Sequence, residues 1–247
     1  MKVTLVALFI LFSLSCQEKE VKKTNEAIVI YPDKELPVLR INKDTFTKID
    51  TTYFNHSVGG KPIKEETLVS MKYDNEFLEI KFECRNNPRL DQNSYTKDNS
   101  WLFKQEVFEL FISKGKETKE NYLEIQLNPN NALFLAKITN RYKSDKKFAL
   151  DLVDIATSGI IHTVKKDSEN KTWIGYLKIP LGLLQYPNKT IDTIYRLNMF
   201  RIISNEDHKS KDWSVTEKNA TFACWSSTMG ETPNFHAPDF FGYLYLE

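Results

Sequence analysis

Residues 122–128 read Tyr-Leu-Glu-Ile-Gln-Leu-Asn, so polar and apolar side chains alternate along them without a break. Successive side chains of a β-strand point to opposite faces, and a strand here would separate the two kinds of side chain. The polar face would carry Tyr122, Glu124, Gln126 and Asn128. The alternation therefore predicts a strand with one face toward a core and one face able to form hydrogen bonds.

The stretch just before it, residues 106–112, reads Glu-Val-Phe-Glu-Leu-Phe-Ile and carries bulky apolar groups on both faces. This pattern is typical of a strand in the centre of a packed sandwich. Glu109 would share a face with Val107 and Phe111. Because a buried carboxylate is costly without a partner, Glu109 is expected to have either an ion-pair partner or a functional role.

The composition bounds the class of protein. With 247 residues, 41% hydrophobic and 27% charged, the chain suits one globular domain or at most two. Thirty-four basic residues balance thirty-three acidic ones, so no net field favours nucleic acid, and we predict no nucleic-acid partner. Sixteen Phe and eleven Tyr against only eight Gly favour strands over helices.

Strand-like segments follow one another through the chain, separated by turns, and no long amphipathic helix interrupts them. Strands are expected at 67–73, 76–84, 106–112, 122–128, 132–138, 148–156, 160–165, 172–179, 195–203, 221–225 and 241–246. Asp74-Asn75 is the predicted turn of a hairpin. This pattern predicts an all-β domain over residues 35–247, an antiparallel β-sandwich or jelly roll.

The first residues predict a location in the cell envelope. A short basic start, Met1-Lys2, precedes an apolar run over residues 3–14 that is too short to span a bilayer. Residues 12–16, Phe-Ser-Leu-Ser-Cys, resemble a bacterial lipobox, which would make 1–16 a lipoprotein signal peptide and Cys16 the lipidated residue. The alternative is an ordinary signal peptide with a chance cysteine.

The segment after Cys16 is polar and lacks periodicity, so residues 17–34 are interpreted as a tether. Its start, Gln-Glu-Lys-Glu at 17–20, is similar to the acidic tags on surface lipoproteins of Bacteroidetes. The expected location is therefore the outer membrane, with a lipid anchor and a domain that is either periplasmic or surface-exposed. In such an oxidising compartment, Cys84 and Cys224 would either form a disulfide or remain two buried thiols.

Several pieces in their order resemble the family 9 carbohydrate-binding modules and the related DOMON-like sandwich domains, over roughly residues 36–247. The pieces are 72–78 (Lys-Tyr-Asp-Asn-Glu-Phe-Leu), Trp101 with 107–112, 122–129, 173–180, 197–201 (Leu-Asn-Met-Phe-Arg) and 235–242 (Phe-His-Ala-Pro-Asp-Phe-Phe-Gly). The resemblance implies a non-catalytic β-sandwich that holds an oligosaccharide or polysaccharide between two aromatic rings at its rim.

The resemblance also implies which residues would contact the sugar. Trp101 matches the first aromatic, Trp225 the second, and Glu109 the acidic position. Gln126 and Asn128, on the polar face of the neighbouring strand, could reach the same ligand. The sequence has no dense carboxylate cluster of the kind that supports the family's structural calcium sites. We therefore predict no cofactor and leave open whether a structural calcium ion is bound. Glycan-processing proteins are candidate partners.

Several residues have a structural alternative. Arg201 shares an apolar face with Leu197 and Met199, and a buried Glu109–Arg201 ion pair is slightly favoured over ligand contact. Trp173 alternates within a strand and is expected in the core. Trp213 could form a third aromatic platform, with a lower expectation than the other two.

Three classes of function remain open besides a protein-interaction scaffold. The favoured one is glycan binding. The second is haem binding, with Met199 and either His162 or His236 as ligands. The third is a glycoside hydrolase or an accessory part of one, although no two carboxylates stand in a motif that fixes an acid and a nucleophile.

Overall fold

The computed structural model of the protein describes residues 35–117, 120–141, 147–187, 189 and 191–247. The predicted signal peptide, Cys16 and the tether at 17–34 lie outside these residues. No helix in the described part of the chain is long and apolar enough to cross a membrane.

Nearly all of the regular structure is β-sheet. The strands within the described residues are β1 Val38–Ile41, β2 Thr47–Lys48, β3 Tyr53–His56, β4 Pro62–Tyr73, β5 Phe77–Cys84, β6 Val107–Lys114, β7 Asn121–Leu127, β8 Leu133–Asn140, β9 Phe148–Leu152, β10 Ile161–Asp167, β11 Thr172–Pro180, β12 Ile194–Ser204, β13 Ala220–Cys224 and β14 Gly242–Leu246. The helices in the same residues are short: an α-helix at Ile155–Ser158 and 3-10 helices at Leu90–Gln92, Leu102–Lys104, Leu183–Gln185 and Pro238–Phe240.

The strands form two sheets. The first sheet has the order β10-β11-β5-β4, with β2 also paired to β4. The second has the order β3-β13-β12-β6-β7-β8-β9, and β14 pairs with both β12 and β1. All of these pairs are antiparallel except β1 with β14. The predicted antiparallel β-sandwich is confirmed.

Strand β4 belongs to both sheets. Its first part pairs with β3, with Tyr53 opposite Glu66. Its second part pairs with β5, from Thr67 opposite Cys84 to Tyr73 opposite Leu78. The sequence analysis predicted only this second part as a strand, at 67–73. The predicted hairpin at Asp74-Asn75 is confirmed, and the Asp74 carboxylate accepts hydrogen bonds from two backbone N–H groups of the turn.

The main core lies between the two sheets. Leu78, Ile80, Phe82 and Cys84 of β5 all face it, as the alternation predicted. Phe82 stacks on Phe108 of β6 across the sandwich, with ring centroids 3.8 Å apart. Gly175 in β11 makes room for this ring, because a Cβ there would lie 2.1 Å from Phe82. Trp173 is buried beside the same ring, as predicted for a core residue.

The opposite face of the second sheet carries a second apolar cluster. It includes Phe111 of β6, Tyr122 of β7 and Phe134 of β8, and the segments around Leu102 and Phe235 pack over it. On β7, Leu123, Ile125 and Leu127 face the main core and the polar side chains face this cluster. The predicted division of residues 122–128 into two faces is therefore confirmed.

One sequence expectation is corrected. The strand expected at 148–156 ends at Leu152, because the Asp154 side chain accepts a hydrogen bond from the Ala156 N–H and starts the helix Ile155–Ser158.

Of the two alternatives for Cys84 and Cys224, the structure shows two buried thiols and no disulfide between them. Cys84 of β5 faces the main core, whereas Cys224 of β13 faces the second apolar cluster, so the two thiols lie in different apolar clusters.

Candidate ligand-binding cleft

The second cluster opens into a cleft of about 520 Å³. Glu109 of β6 and Glu124 of β7 line its floor, and aromatic side chains form most of its walls. A volume of this order suits a ligand of one to a few rings, since small-molecule sites occupy about 300–1,000 Å³.

The two carboxyl groups are held on one face by the pairing of β6 with β7. Glu109 is opposite Gln126, and Glu124 is opposite Phe111. Gln126 donates a hydrogen bond from Nε2 to Oε1 of Glu124 at 2.5 Å. This bond fixes the Glu124 side chain against its own strand and leaves its other oxygen directed elsewhere.

Burial changes the protonation of both groups. Only 2% of Glu109 and 4% of Glu124 is exposed. Loss of water raises the pKa of Glu109 well above its ordinary value, and the nearby charge of Glu124 raises it further. Burial raises the pKa of Glu124 to about 7, although the hydrogen bond from Gln126 acts in the opposite direction. Glu124 therefore titrates near neutral pH, and Glu109 keeps its proton to a higher pH than an ordinary glutamate.

Three buried acceptor atoms have no hydrogen-bond partner here: Glu109 Oε1 and Glu124 Oε2 of the two floor residues, and Gln126 Oε1 directly beside them. Buried polar atoms of folded proteins are nearly always hydrogen-bonded, and each orphan costs stability. Three orphan acceptors side by side are the arrangement expected of a site that receives donors from a ligand.

The walls of the cleft are aromatic and exposed. Trp101 is 46% exposed, Phe103 37% and Phe148 44%. Trp101 stands at the start of the 3-10 helix Leu102–Lys104, with its ring against Phe103 and Phe134, and Phe148 starts β9 at the edge of the sheet. Exposed rings around a polar floor offer flat apolar faces beside hydrogen-bonding groups.

His236 completes one wall and is held by a chain of hydrogen bonds. Asn140 donates to the Tyr122 hydroxyl oxygen at 3.2 Å, and that hydroxyl lies 2.7 Å from His236 Nδ1. Burial raises the pKa of the Tyr122 hydroxyl, which therefore stays protonated beside Nδ1. The other ring nitrogen of His236, Nε2, lies 4.0 Å from Glu124 Oε2. Burial lowers the pKa of His236 to about 4, so the imidazole is neutral at pH 7.

The structure brings some of the predicted ligand-binding residues together and separates others. Trp101 and Glu109 line the same cleft. Gln126 is fully buried and does not line it, but it lies opposite Glu109 and donates to Glu124, so it supports the two carboxyl groups from behind. Asn128 does not reach it: Oδ1 accepts from the N–H groups of Asn130 and Ala132, and Nδ2 donates to the Tyr95 carbonyl. That side chain holds the turn after β7.

Trp225 lies apart from Trp101. It is only 8% exposed, belongs to the main core, and packs its ring where a Cβ on Gly242 would lie 2.5 Å away. Its accessible edge lines a different depression, together with Pro37 and Thr51. The rim of two tryptophans is therefore not formed by this pair, and a sugar contact by Trp225 stays a prediction about a separate surface.

The expected Glu109–Arg201 ion pair is wrong. Arg201 is opposite Phe108 on β12 and β6, so it faces the main core, whereas Glu109 faces the cleft. Its guanidinium donates instead to the Glu66 carbonyl and the Thr67 hydroxyl, each at 3.1 Å, and to Asn87 Oδ1. Glu109 is thus left without a cationic partner among the described residues.

The residues proposed for haem do not meet. Met199 is buried in the main core, His236 lies on the other face of the second sheet, and His162 is on β10 of the first sheet, against Asn131. No group of three or more His, Cys, Asp or Glu side chains in the described ranges could hold a metal ion, calcium included. Trp213 is buried, stacks on His208 and donates to the Gln92 carbonyl, so it anchors a loop.

Sequence reasoning missed three residues of the cleft as site residues. Glu124 was placed on the polar face of β7 but was not proposed as a site residue; its spacing from Gln126 was the available signal. Phe103 and Phe148 carried no signal, because an exposed aromatic near a strand end has no pattern that distinguishes it from a core residue.

Comparisons with known proteins agree on the fold. No protein-family model matches the chain. An extracellular protein of Arthroderma benhamiae is 25% identical over 192 residues, which cover 76% of this chain and 82% of that protein. Among solved structures, a candidate carbohydrate-binding protein of Bacteroides uniformis is 14% identical with a TM-score of 0.61, over 86% of this chain and 100% of that one.

A second solved structure is a family 9 carbohydrate-binding module of Caldicellulosiruptor kristjanssonii in complex with glucose. It is 14% identical with a TM-score of 0.51, over 85% of this chain and 96% of that one. The chain thus has an all-β sandwich fold similar to that of the family 9 modules, as the sequence pattern indicated.

Proposed function

We propose that the protein is a non-catalytic carbohydrate-binding protein that holds an oligosaccharide or part of a polysaccharide in the cleft of Glu109 and Glu124. The observation that carries this proposal is the set of unpartnered buried acceptors on an aromatic-walled floor. Sugars present many hydroxyl donors on one edge and apolar C–H groups on the ring face, and this cleft is complementary to both.

The roles of the residues follow from their positions. Trp101 and Phe148 would pack on the ring faces, and Glu109, Glu124 and Gln126 would accept hydrogen bonds from hydroxyls. The fold similarity to a module solved with glucose supports the same class of ligand. Because that module is only 14% identical to this chain, the ligand contacts proposed for this chain rest on its own residues.

A panel of oligosaccharides titrated by calorimetry tests the proposal. The variant Glu109→Leu keeps a similar side-chain volume and removes the acceptors, so it should weaken binding by about 10- to 100-fold, the value of a hydrogen bond to a charged group. Glu231→Leu is the matched control, because Glu231 is exposed and is not one of the cleft-lining residues. Absence of binding to every glycan of a broad panel would refute the proposal.

The paired carboxyls also favour a second candidate function, hydrolysis of a glycosidic bond. Glycoside hydrolases use two carboxyl groups, of which one stays protonated near neutral pH, and burial gives Glu124 a pKa of about 7. Release of reducing sugar from a bound oligosaccharide, lost in Glu124→Gln, would establish this activity. Binding without turnover would leave the non-catalytic function.

We propose further that the protein is anchored in the outer membrane of a bacterial cell envelope through a lipid on Cys16, with glycan-processing proteins as partners. The support is the lipobox-like run that ends at Cys16. Metabolic labelling with a fatty acid, with Cys16→Ala as the comparison, tests it: the label and detergent partitioning should both be lost in the variant. An unlabelled wild-type protein would contradict the anchor.

A further inference from the structure

The charges of the cleft are unbalanced. Glu109 and Glu124 supply two carboxyl groups, and no Lys or Arg side chain among the described residues lines the cleft. The remaining titratable groups that face the pair are Tyr122 of β7 and His236 of the segment before β14. The flanking strands β12, β8 and β9 present apolar side chains to it: Phe200, Ile202, Phe134, Phe148 and Leu150.

Neither of those two groups supplies a cation at neutral pH. His236 is held neutral by burial, and the Tyr122 hydroxyl stays protonated. A neutral ligand would not change the charge of the cleft, so the two buried carboxyl groups would still repel each other or share a proton. A ligand with its own positive charge would offset it.

The walls favour the same kind of charge. Trp101, Phe103, Phe148, Phe222 and Phe235 line the cleft together with Phe111. A cation close to an aromatic face is attracted by the negative face of the ring, and the attraction grows when water is excluded. An aromatic enclosure above two carboxylates is therefore suited to an ammonium group.

The hydrogen-bonding capacity also matches. An ammonium group carries three N–H donors and no acceptor, whereas a hydroxyl donates one. Glu109 and Glu124 each bring one unpartnered acceptor to the floor, Gln126 Oε1 is a third directly beside them, and none of the three residues has an unpartnered donor. We propose that the cleft selects a glycan that carries a free amino group, such as an oligomer of glucosamine, and binds its ammonium between Glu109 and Glu124.

This inference rests on the proposed carbohydrate binding and deepens it. The test titrates the full chain with three matched oligosaccharides: a glucosamine tetramer, its N-acetylated counterpart and a neutral glucose tetramer. The glucosamine tetramer should bind at least tenfold more tightly than the other two. The comparison is made on the unaltered protein, so its outcome does not depend on the folding of any variant.

Two variants assign the preference to the carboxyls. Glu109→Gln and Glu124→Gln keep the size and the acceptor oxygen but remove the charge, so each should reduce the preference for glucosamine by tenfold or more. The neutral tetramer should lose less affinity than the glucosamine tetramer in both variants, since each variant loses the charge and one acceptor oxygen but keeps the other. Glu231→Gln, which removes an exposed charge outside the cleft, should leave both affinities unchanged.

The pH profile gives an independent readout. Affinity for the glucosamine tetramer should fall below about pH 7, as Glu124 gains a proton, and above about pH 8, as the amine loses its proton. The neutral tetramer has no amine and should lack the alkaline fall.

Each result has a distinct meaning. Equal affinity for all three oligosaccharides would overturn the ammonium inference and leave carbohydrate binding intact. Binding of none would overturn both. A lysine-containing peptide is included as a fourth ligand, and its binding without any bound sugar would show that the cleft recognises an ammonium on a protein, which would also overturn the inference.

Discussion

Glu109 of β6 and Glu124 of β7 lie diagonally across two adjacent strands. In the register of this pair, Glu109 is opposite Gln126 and Glu124 is opposite Phe111. Diagonal positions in an antiparallel pair are close enough for long side chains to interact. The two carboxyls therefore influence each other's ionisation without sharing a direct hydrogen bond. Their shared position predicts a site that is costly to stability and useful for binding.

The Glu124→Gln variant is expected to be more stable than the wild type at pH 8. Burial raises the folded-state pKa of Glu124 to about 7 from an ordinary 4.5, so the folded protein holds this proton more tightly than the unfolded chain. The contribution of the group to stability is present below pH 4.5 and is lost as the pH rises through 7. The gain at pH 8 should be on the order of 1–3 kcal/mol.

Urea denaturation at pH 4.5 and pH 8 measures this difference. Titrating groups far from Glu124 cancel in the comparison of variant with wild type, whereas loss of the Glu124 charge also removes its upward effect on the pKa of Glu109. Glu231→Gln serves as a charge control. A variant that is less stable than the wild type at pH 8 would mean that the Glu124 carboxylate has a stabilising partner.

Trp101→Ala and Trp225→Ala should separate binding from stability. Loss of the exposed Trp101 ring should weaken glycan binding about tenfold and change the free energy of unfolding by less than about 1 kcal/mol. Loss of the buried Trp225 ring should cost about 3–5 kcal/mol of stability, because it leaves a cavity in the main core. Calorimetric titration and denaturation of both variants check this, and equal loss of affinity in both with folding intact would restore Trp225 to the site.

Phe148→Ala should weaken glycan binding by about five- to tenfold, since Phe148 is an exposed wall of the cleft. Leu152→Ala is the matched control: Leu152 lies on the same strand, is similarly exposed, and is not one of the lining residues. Titration with the best ligand of the panel compares the two. If Leu152→Ala has the larger effect, the ligand lies farther along β9 than the cleft.

Reductant should leave the thermal midpoint unchanged. Cys84 and Cys224 occupy cores on opposite faces of the second sheet and form no disulfide. A native disulfide would contribute about 2–4 kcal/mol and its reduction would lower the midpoint by several degrees. Thermal denaturation with and without dithiothreitol measures this, and a clear drop would show that the two strands approach each other in solution.

The parts of the fold that could be predicted are the strands in which polar and apolar residues alternate. Alternation alone placed Leu78, Ile80 and Phe82 in the core and Glu124 on the opposite face from Ile125. Turn residues such as Asp74 fixed the hairpin between β4 and β5, because the local hydrogen bonds need no distant partner.

The site was predicted less completely, for physical reasons. Arg201 and Glu109 were each placed on an apolar face, but the faces differ, and only the register of β12 against β6 decides that. Trp101 follows a loop and Trp225 directly follows β13, and which surface each ring reaches depends on tertiary contacts. Glu109 was identified because a lone carboxylate between Val107 and Phe111 is unusual in any fold.

The strand that joins the two sheets has a consequence for unfolding. Because β4 contributes Glu66 to one sheet and Thr67 to the other, neither sheet can peel away while the other keeps all of its strands. The cleft floor and the distant hairpin at Asp74 are thus expected to unfold in the same transition. We therefore expect loss of order at the ligand face to coincide with the melting of the whole sandwich.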